Sequence, residues 1–151
     1  MNNPKLITTL ALAATFTFAA LSAKAEPTVI TFTIDNKTEH AITSSVPGAE
    51  RVEPNSSKTF SYAQDLRIAD MRDGSKSGFG RGVAFILGDK ICGFNANIDL
   101  SKVNNHINVE RQTKSESLGK QPVGCMIELA EESQKTPYNF NTKLVMVDFA
   151  K

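Results

Sequence analysis

The chain contains no tryptophan, two tyrosines, two histidines and two cysteines among its 151 residues. Each scarcity weighs against a class of function. Exported sandwiches that bind sugars commonly stack them on large flat aromatic rings, and a chain with only Tyr62 and Tyr138 beside its phenylalanines argues against that use. Histidine chemistry has little to work with: His106 lies on a polar face beside Asn104 and Asn105, and His40 follows Glu39 at a strand start. No nucleophile-elbow pattern GxSxG accompanies either histidine, so the reading leans away from an enzyme, and a secreted hydrolase ranks third among the functions considered. Cys92 and Cys125 are 33 positions apart and lack the further ligands of a zinc site. Asp65, Asp70 and Asp73 lack the dense alternating oxygens of a calcium loop. No metal and no cofactor are expected.

Net charge is equally uninformative about polyanions. Seventeen basic residues balance sixteen acidic ones, without the basic patch of a nucleic-acid binder. No nucleic-acid partner is expected.

What is present begins at the N-terminus. Lys5 precedes the apolar run "LITTLALAATFTFAALS", which ends in "AKA" at 23–25 with small residues where a signal peptidase reads. This is the three-part pattern of a secretory signal peptide, with cleavage expected after Ala25. A transmembrane anchor fits worse, because threonines interrupt the run and no stop-transfer charges follow it. Residue 26 is Glu rather than Cys, so lipid anchoring is not expected. The expected domains are therefore a signal peptide over 1–25 and one β-domain over 26–151, secreted or periplasmic, with no transmembrane segment in the mature chain.

Alternation of apolar and polar residues dominates that domain. In "VITFTID", Ile30, Phe32 and Ile34 share one face and Thr31 and Thr33 the other, as in a half-buried strand. "HAITSS" and "SKTFSY" repeat the pattern between turns at Asp35–Thr38, Pro47-Gly48 and Pro54-Asn55, and "RIADMR" is a weaker strand. "VAFIL" is apolar on both sides, and Gly88-Asp89 after it suits a two-residue hairpin turn. That turn pairs Phe85 with Cys92 and Val83 with Phe94. Cys92, Phe94, Ala96 and Ile98 then share a core face, as do Val123, Cys125, Ile127 and Leu129 on a later strand. Two core-facing cysteines in an exported chain predict a Cys92–Cys125 disulfide.

"NNHINVE" and "KLVMVDF" read as strands, "RQTKSESLGKQP" as an exposed loop, and "ELAEESQK" as the possible start of a short helix. About eight short strands in one domain predict an all-β antiparallel sandwich, with an irregular β-barrel as the alternative. "TFTIDNKTEHAI" followed by "VEPNSSKTF" resembles the opening strands of exported sandwich families, thaumatin-like proteins among them. Those proteins are rich in disulfides, and no residue is carried over from them. "NKT" at 36 and "NSS" at 55 match glycosylation acceptors.

Two segments are candidates for recognition. "DGSKSGFGRG", residues 73–82, feeds an apolar strand rather than a helix N-terminus and lacks the Walker spacing, so it is not a phosphate cradle. It reads as a hairpin connection at the rim of the sandwich, with Phe79 folded onto the core or displayed to a partner. Lys76, Phe79 and Arg81 are its candidate binding residues. Tyr138 and Phe140 in "TPYNFNT" form the second candidate patch. The expected function is binding of a protein or surface ligand through end loops, without catalysis. A secreted toxin or effector acting on a host membrane or protein is the alternative.

Overall fold

The computed structural model describes residues 26–149, so the signal peptide expected over 1–25 lies outside the described residues. Among the described residues nine strands form two packed sheets: β1 (Thr28–Asn36), β2 (Ile42–Thr43), β3 (Arg51–Val52), β4 (Ser56–Gln64), β5 (Lys76–Leu87), β6 (Lys90–Val103), β7 (His106–Ser117), β8 (Gly124–Glu132) and β9 (Phe140–Val147). One sheet runs β4-β1-β9-β8 and the other β3-β2-β5-β6-β7. The fold is an all-β sandwich. Its pairings are antiparallel except for β1 with β9, which run parallel.

The alternation of β1 explains its place. Ile30, Phe32 and Ile34 are fully buried, and Phe32 stacks on Phe60 of β4 with ring centroids 5.3 Å apart. On the opposite face Thr31 meets Ser61 and Thr33 meets Thr59 through hydroxyl hydrogen bonds of 3.2 and 3.0 Å. These cross-strand pairs let a polar face coexist with an apolar one on the same strand. β9 lies between β1 and β8 and sends Leu144 and Met146 into the core.

The hairpin β5–β6 has the register its turn demands. Gly88 takes φ +57° at the first central position, and Phe85 pairs with Cys92 and Val83 with Phe94. Cys92, Phe94, Ala96 and Ile98 are buried. Cys92 on β6 is bonded to Cys125 on β8, with Cα atoms 5.5 Å apart, so the disulfide ties one sheet to the other.

Four segments differ from their sequence reading, for local reasons. Residues 76–82 are strand rather than rim connection, because the glycines sit in the β5 ladder against β6. "RIADMR" forms a 3-10 turn at Ile68–Asp70, entered through Arg67 with φ +48°. β7 continues through Ser117 although its sequence is polar: Ser115 donates to the Cys125 carbonyl at 2.9 Å, so this side meets the edge of β8 rather than an apolar layer. β8 likewise extends to Glu132 in place of a helix. Glu128 lies opposite Lys143, Asn141 donates to Glu131 at 2.8 Å, and an irregularity between Leu129 and Glu131 absorbs the extra residue.

The turn after β1 is held by Asn36, whose side chain is fully buried. Its Nδ2 donates to the carbonyls of His40, Val52 and Glu53, and its Oδ1 accepts from the Thr38 amide and hydroxyl. Nδ2 is enclosed among these carbonyls, so a glycan on it would require Asn36 to leave this buried site. Asn55 of "NSS" is exposed.

Candidate functional site

The two sheets meet differently on their two sides. On one side β7 and β8 approach each other and the disulfide lies behind them. On the other side β4 is the edge of its sheet. The opposing strand β5 is paired outward at a single point there, Thr43 with Ile86. This second side is open, and the "GSKSGFGRG" stretch runs along it.

Phe79, Arg81 and Val83 share the inner face of β5. Phe79 is buried at 4% exposure, so its ring is part of the core and is not displayed. Arg81 is exposed. Its guanidinium carbon lies 5.3 Å from the Phe79 ring centroid and 5.5 Å from that of Tyr62 on β4. The cation is thus held over two rings contributed by opposite sheets. Among the described residues it makes no ion pair.

The outer face of β5 carries Lys76, Gly78, Gly80, Gly82 and Ala84. Opposite them on β6 stand Ser101, Asp99, Asn97, Asn95 and Gly93. A Cβ on Gly78 would approach Asp99 Oδ1 to 2.6 Å, and one on Gly80 would approach Asn97 Cβ to 2.9 Å. The polar side chains of β6 therefore lean over the β5 backbone, and side chains there would be in their way. At Gly82 a Cβ would find ordinary contact, 3.5 Å from Asn95 Nδ2.

The hairpin turn decides which backbone groups face out. Leu87 and Lys90 flank a two-residue turn and exchange both hydrogen bonds, and the alternation then assigns Phe85, Val83, Arg81 and Phe79 to the β6 ladder. Gly78, Gly80, Gly82 and Ala84 consequently turn N–H and C=O toward the open side. Among the described residues no other backbone group bonds to these four. A hollow of about 480 Å³ lies at the Gly82–Ala84 end of this edge, bounded also by Val46 and Tyr62. Lys76 lines a second hollow, of about 520 Å³, with Gly78, Asp99 and Glu110.

The Tyr138–Phe140 patch is organised differently. Phe140 is buried, and Tyr138 is half-buried with φ +64° just after the cis Thr136–Pro137 bond. Arg111 of β7, which the sequence reading did not single out, holds this connection. Its side chain is 4% exposed, pairs with Glu132 at 3.0 Å and donates to the carbonyls of Ser133 and Tyr138. Its guanidinium also lies 5.7 Å from the Phe140 ring centroid. Alternation supplied a signal for it, since Ile107, Val109 and Arg111 share the inner side of β7. We expect Arg111→Met to keep the packing but strand the two carbonyls, lowering stability by about 2 kcal/mol in urea denaturation. The Tyr138 amide should lose hydrogen-exchange protection in the same variant.

His40 lines a polar hollow of about 800 Å³ with Lys37, Glu39, Asp89 and the Lys90–Asp148 ion pair, and no serine is among its lining residues. His106 is exposed at the β6–β7 turn. Among the described residues no group of three or more His, Cys, Asp or Glu gathers as metal ligands would. The carboxyl of Glu50, between β2 and β3, is held below its usual range by backbone N–H groups, with the Lys58 charge assisting. It serves the turn at Gly48, whose amide donates to it at 3.1 Å.

The fold and this side chain arrangement define an all-β sandwich with an inter-sheet disulfide. Comparison with protein-family models, curated proteins and solved structures finds no match to the chain.

Proposed function

We propose that the protein is a non-enzymatic binding protein of an oxidising compartment, secreted or periplasmic, that engages a protein partner through the open side of its sandwich. One observation carries the reading. An exposed arginine that has no carboxylate partner among the described residues is held over two aromatic rings beside an unpaired stretch of strand. Arg and aromatic side chains are the residue types that dominate binding energy at protein interfaces. The inter-sheet disulfide fits export, and the signal-peptide pattern of residues 1–25 supplies a route. A membrane contact rested on Phe79 reaching outward, and its burial favours a protein partner instead.

The test has two arms. Mass spectrometry of the exported protein should place its N-terminus at Glu26. In affinity capture, residues 26–151 should retain a partner that Arg81→Glu loses and Lys135→Glu, in the β8–β9 connection, keeps. Equal retention by all three overturns the reading.

A further inference from the structure

We infer that the open edge of β5, from Gly78 to Ala84, is a docking site for an extended acidic segment of a partner protein, which adds to the β3-β2-β5-β6-β7 sheet as a further strand. The inference rests on the open-side reading above and specifies the chemistry of its partner.

Sheet edges are normally blunted by proline, bulges or very short strands, because unpaired backbone groups template the addition of another chain. β5 has none of these three; its one inward-pointing charge, a further guard of sheet edges, is Arg81, which repels a cationic strand and attracts an acidic one. It is twelve residues long and its register against β6 is continuous. Between Gly74 and Gly88 there is no proline. The four residues whose N–H and C=O face outward are three glycines and an alanine, so β5 itself sets no large side chain beside the groups that an incoming strand would bond. Glycine within a strand commonly marks close approach by another backbone. The stretch has natural limits: at one end Ser77 donates to the Leu66 carbonyl at 3.2 Å, and at the other Thr43 pairs with Ile86. Eight residues lie between these stops, and the seven from Gly78 to Ala84 match an ordinary strand.

Charge selects the occupant. On the outer face Lys76 shares its hollow with Asp99 and Glu110, so the charge that selects is Arg81, the charged side chain of β5 on the inner face. A second copy's β5 would bring Arg81 and Lys76 against their like. A carboxylate on the inner face of an added strand would instead meet the guanidinium already held over Tyr62 and Phe79. Main-chain bonds then supply affinity, and this charge-assisted contact supplies selectivity.

The probes are a capped nonapeptide of alternating Thr and Val with a central Glu, and the same peptide with Lys in place of Glu. In the free mature protein the amides of Gly80 and Gly82 should exchange with solvent rapidly, while those of Arg81 and Val83 are protected by β6. The Glu peptide should protect Gly80 and Gly82, and it should bind about tenfold or more tightly than the Lys peptide. Gly82→Pro removes an outward N–H without touching the β6 ladder and should abolish binding. Lys135→Glu, in the β8–β9 connection away from this edge, should bind within about twofold of wild type. Arg81→Glu should reverse the preference between the peptides.

If Gly82→Pro is not folded, N-methylation of the Glu peptide along its bonding edge removes the same bonds from the other side and should likewise abolish binding. Absent protection at Gly80 and Gly82, undiminished binding by Gly82→Pro or by the N-methylated peptide, or equal affinity for the two peptides overturns the inference. Self-association that Gly82→Pro abolishes also overturns it, by making a second copy the occupant. A natural partner kept by Gly82→Pro but lost by Arg81→Glu defeats strand addition and leaves open-side recognition standing. A partner kept by both defeats the two together.

Discussion

Replacing Cys92 and Cys125 together by alanine is expected to lower the unfolding free energy by about 4 kcal/mol and the melting temperature by roughly 10–20 °C. The bridge closes a 33-residue separation, and the chain-entropy estimate for such a loop is about 3.7 kcal/mol. Its position adds to that. Cys92 is fully buried on β6 and Cys125 lies on β8 of the other sheet, so the bond spans the layer that packing must otherwise hold together. Urea unfolding of the oxidised, reduced and double-alanine forms measures the effect. The two unbridged forms should unfold with a steeper denaturant dependence, because their unfolded chains expose more surface. A loss below about 1 kcal/mol would mean that unfolding does not require these two strands to separate.

The core was legible because strand parity leaves little freedom. Once Gly88-Asp89 was placed in the turn, the faces of β5 and β6 followed, and with them the burial of Cys92, Phe94, Ala96 and Ile98. The second cysteine followed from the alternation in β8. What alternation could not show was strand without an apolar face. β7 beyond Glu110 is polar on both sides and β8 beyond Leu129 has only Ala130 between its glutamates, and their inner partners are carbonyls, an arginine and the facing strand edge. The glycine stretch was obscured differently. Glycine is read as a turn residue because it tolerates positive φ, yet at Gly78 and Gly80 its use is the absence of a Cβ beneath Asp99 and Asn97. The candidate site was therefore legible as residues but not as geometry. Phe79 and Arg81 stood out in the sequence. Their division into a core ring and a surface cation depended on Tyr62, which comes from the other sheet. Arg111 escaped notice because its partners lie more than twenty residues away, in a connection that only the fold brings near.

The buried hub at Asn36 should be nearly as costly to remove as the disulfide. Asn36→Ala deletes three donor bonds and two acceptor bonds at one fully buried position. A made hydrogen bond is worth about 1 kcal/mol net, but each polar group left buried without a partner costs about 1–3 kcal/mol. Thr38 can still bond to the His40 carbonyl at 2.7 Å, so part of the turn survives. The Val52 and Glu53 carbonyls lose the donor that fixes β3 beside the end of β1. The expected loss is about 3–4 kcal/mol by urea denaturation, against less than about 0.5 kcal/mol for Asn108→Ala on an exposed strand face. Asn36→Asp separates packing from hydrogen bonding, since it preserves the shape while turning an ionised carboxylate toward three carbonyl oxygens. Its loss should exceed that of the alanine variant at neutral pH. Such a carboxyl has a folded-state pKa above its unfolded value, so part of the lost stability should return as pH falls through that raised pKa and a proton supplies one donor again. Equal stability of Asn36→Asp and wild type at neutral pH would show that packing, rather than the donated hydrogen bonds, is what this side chain contributes.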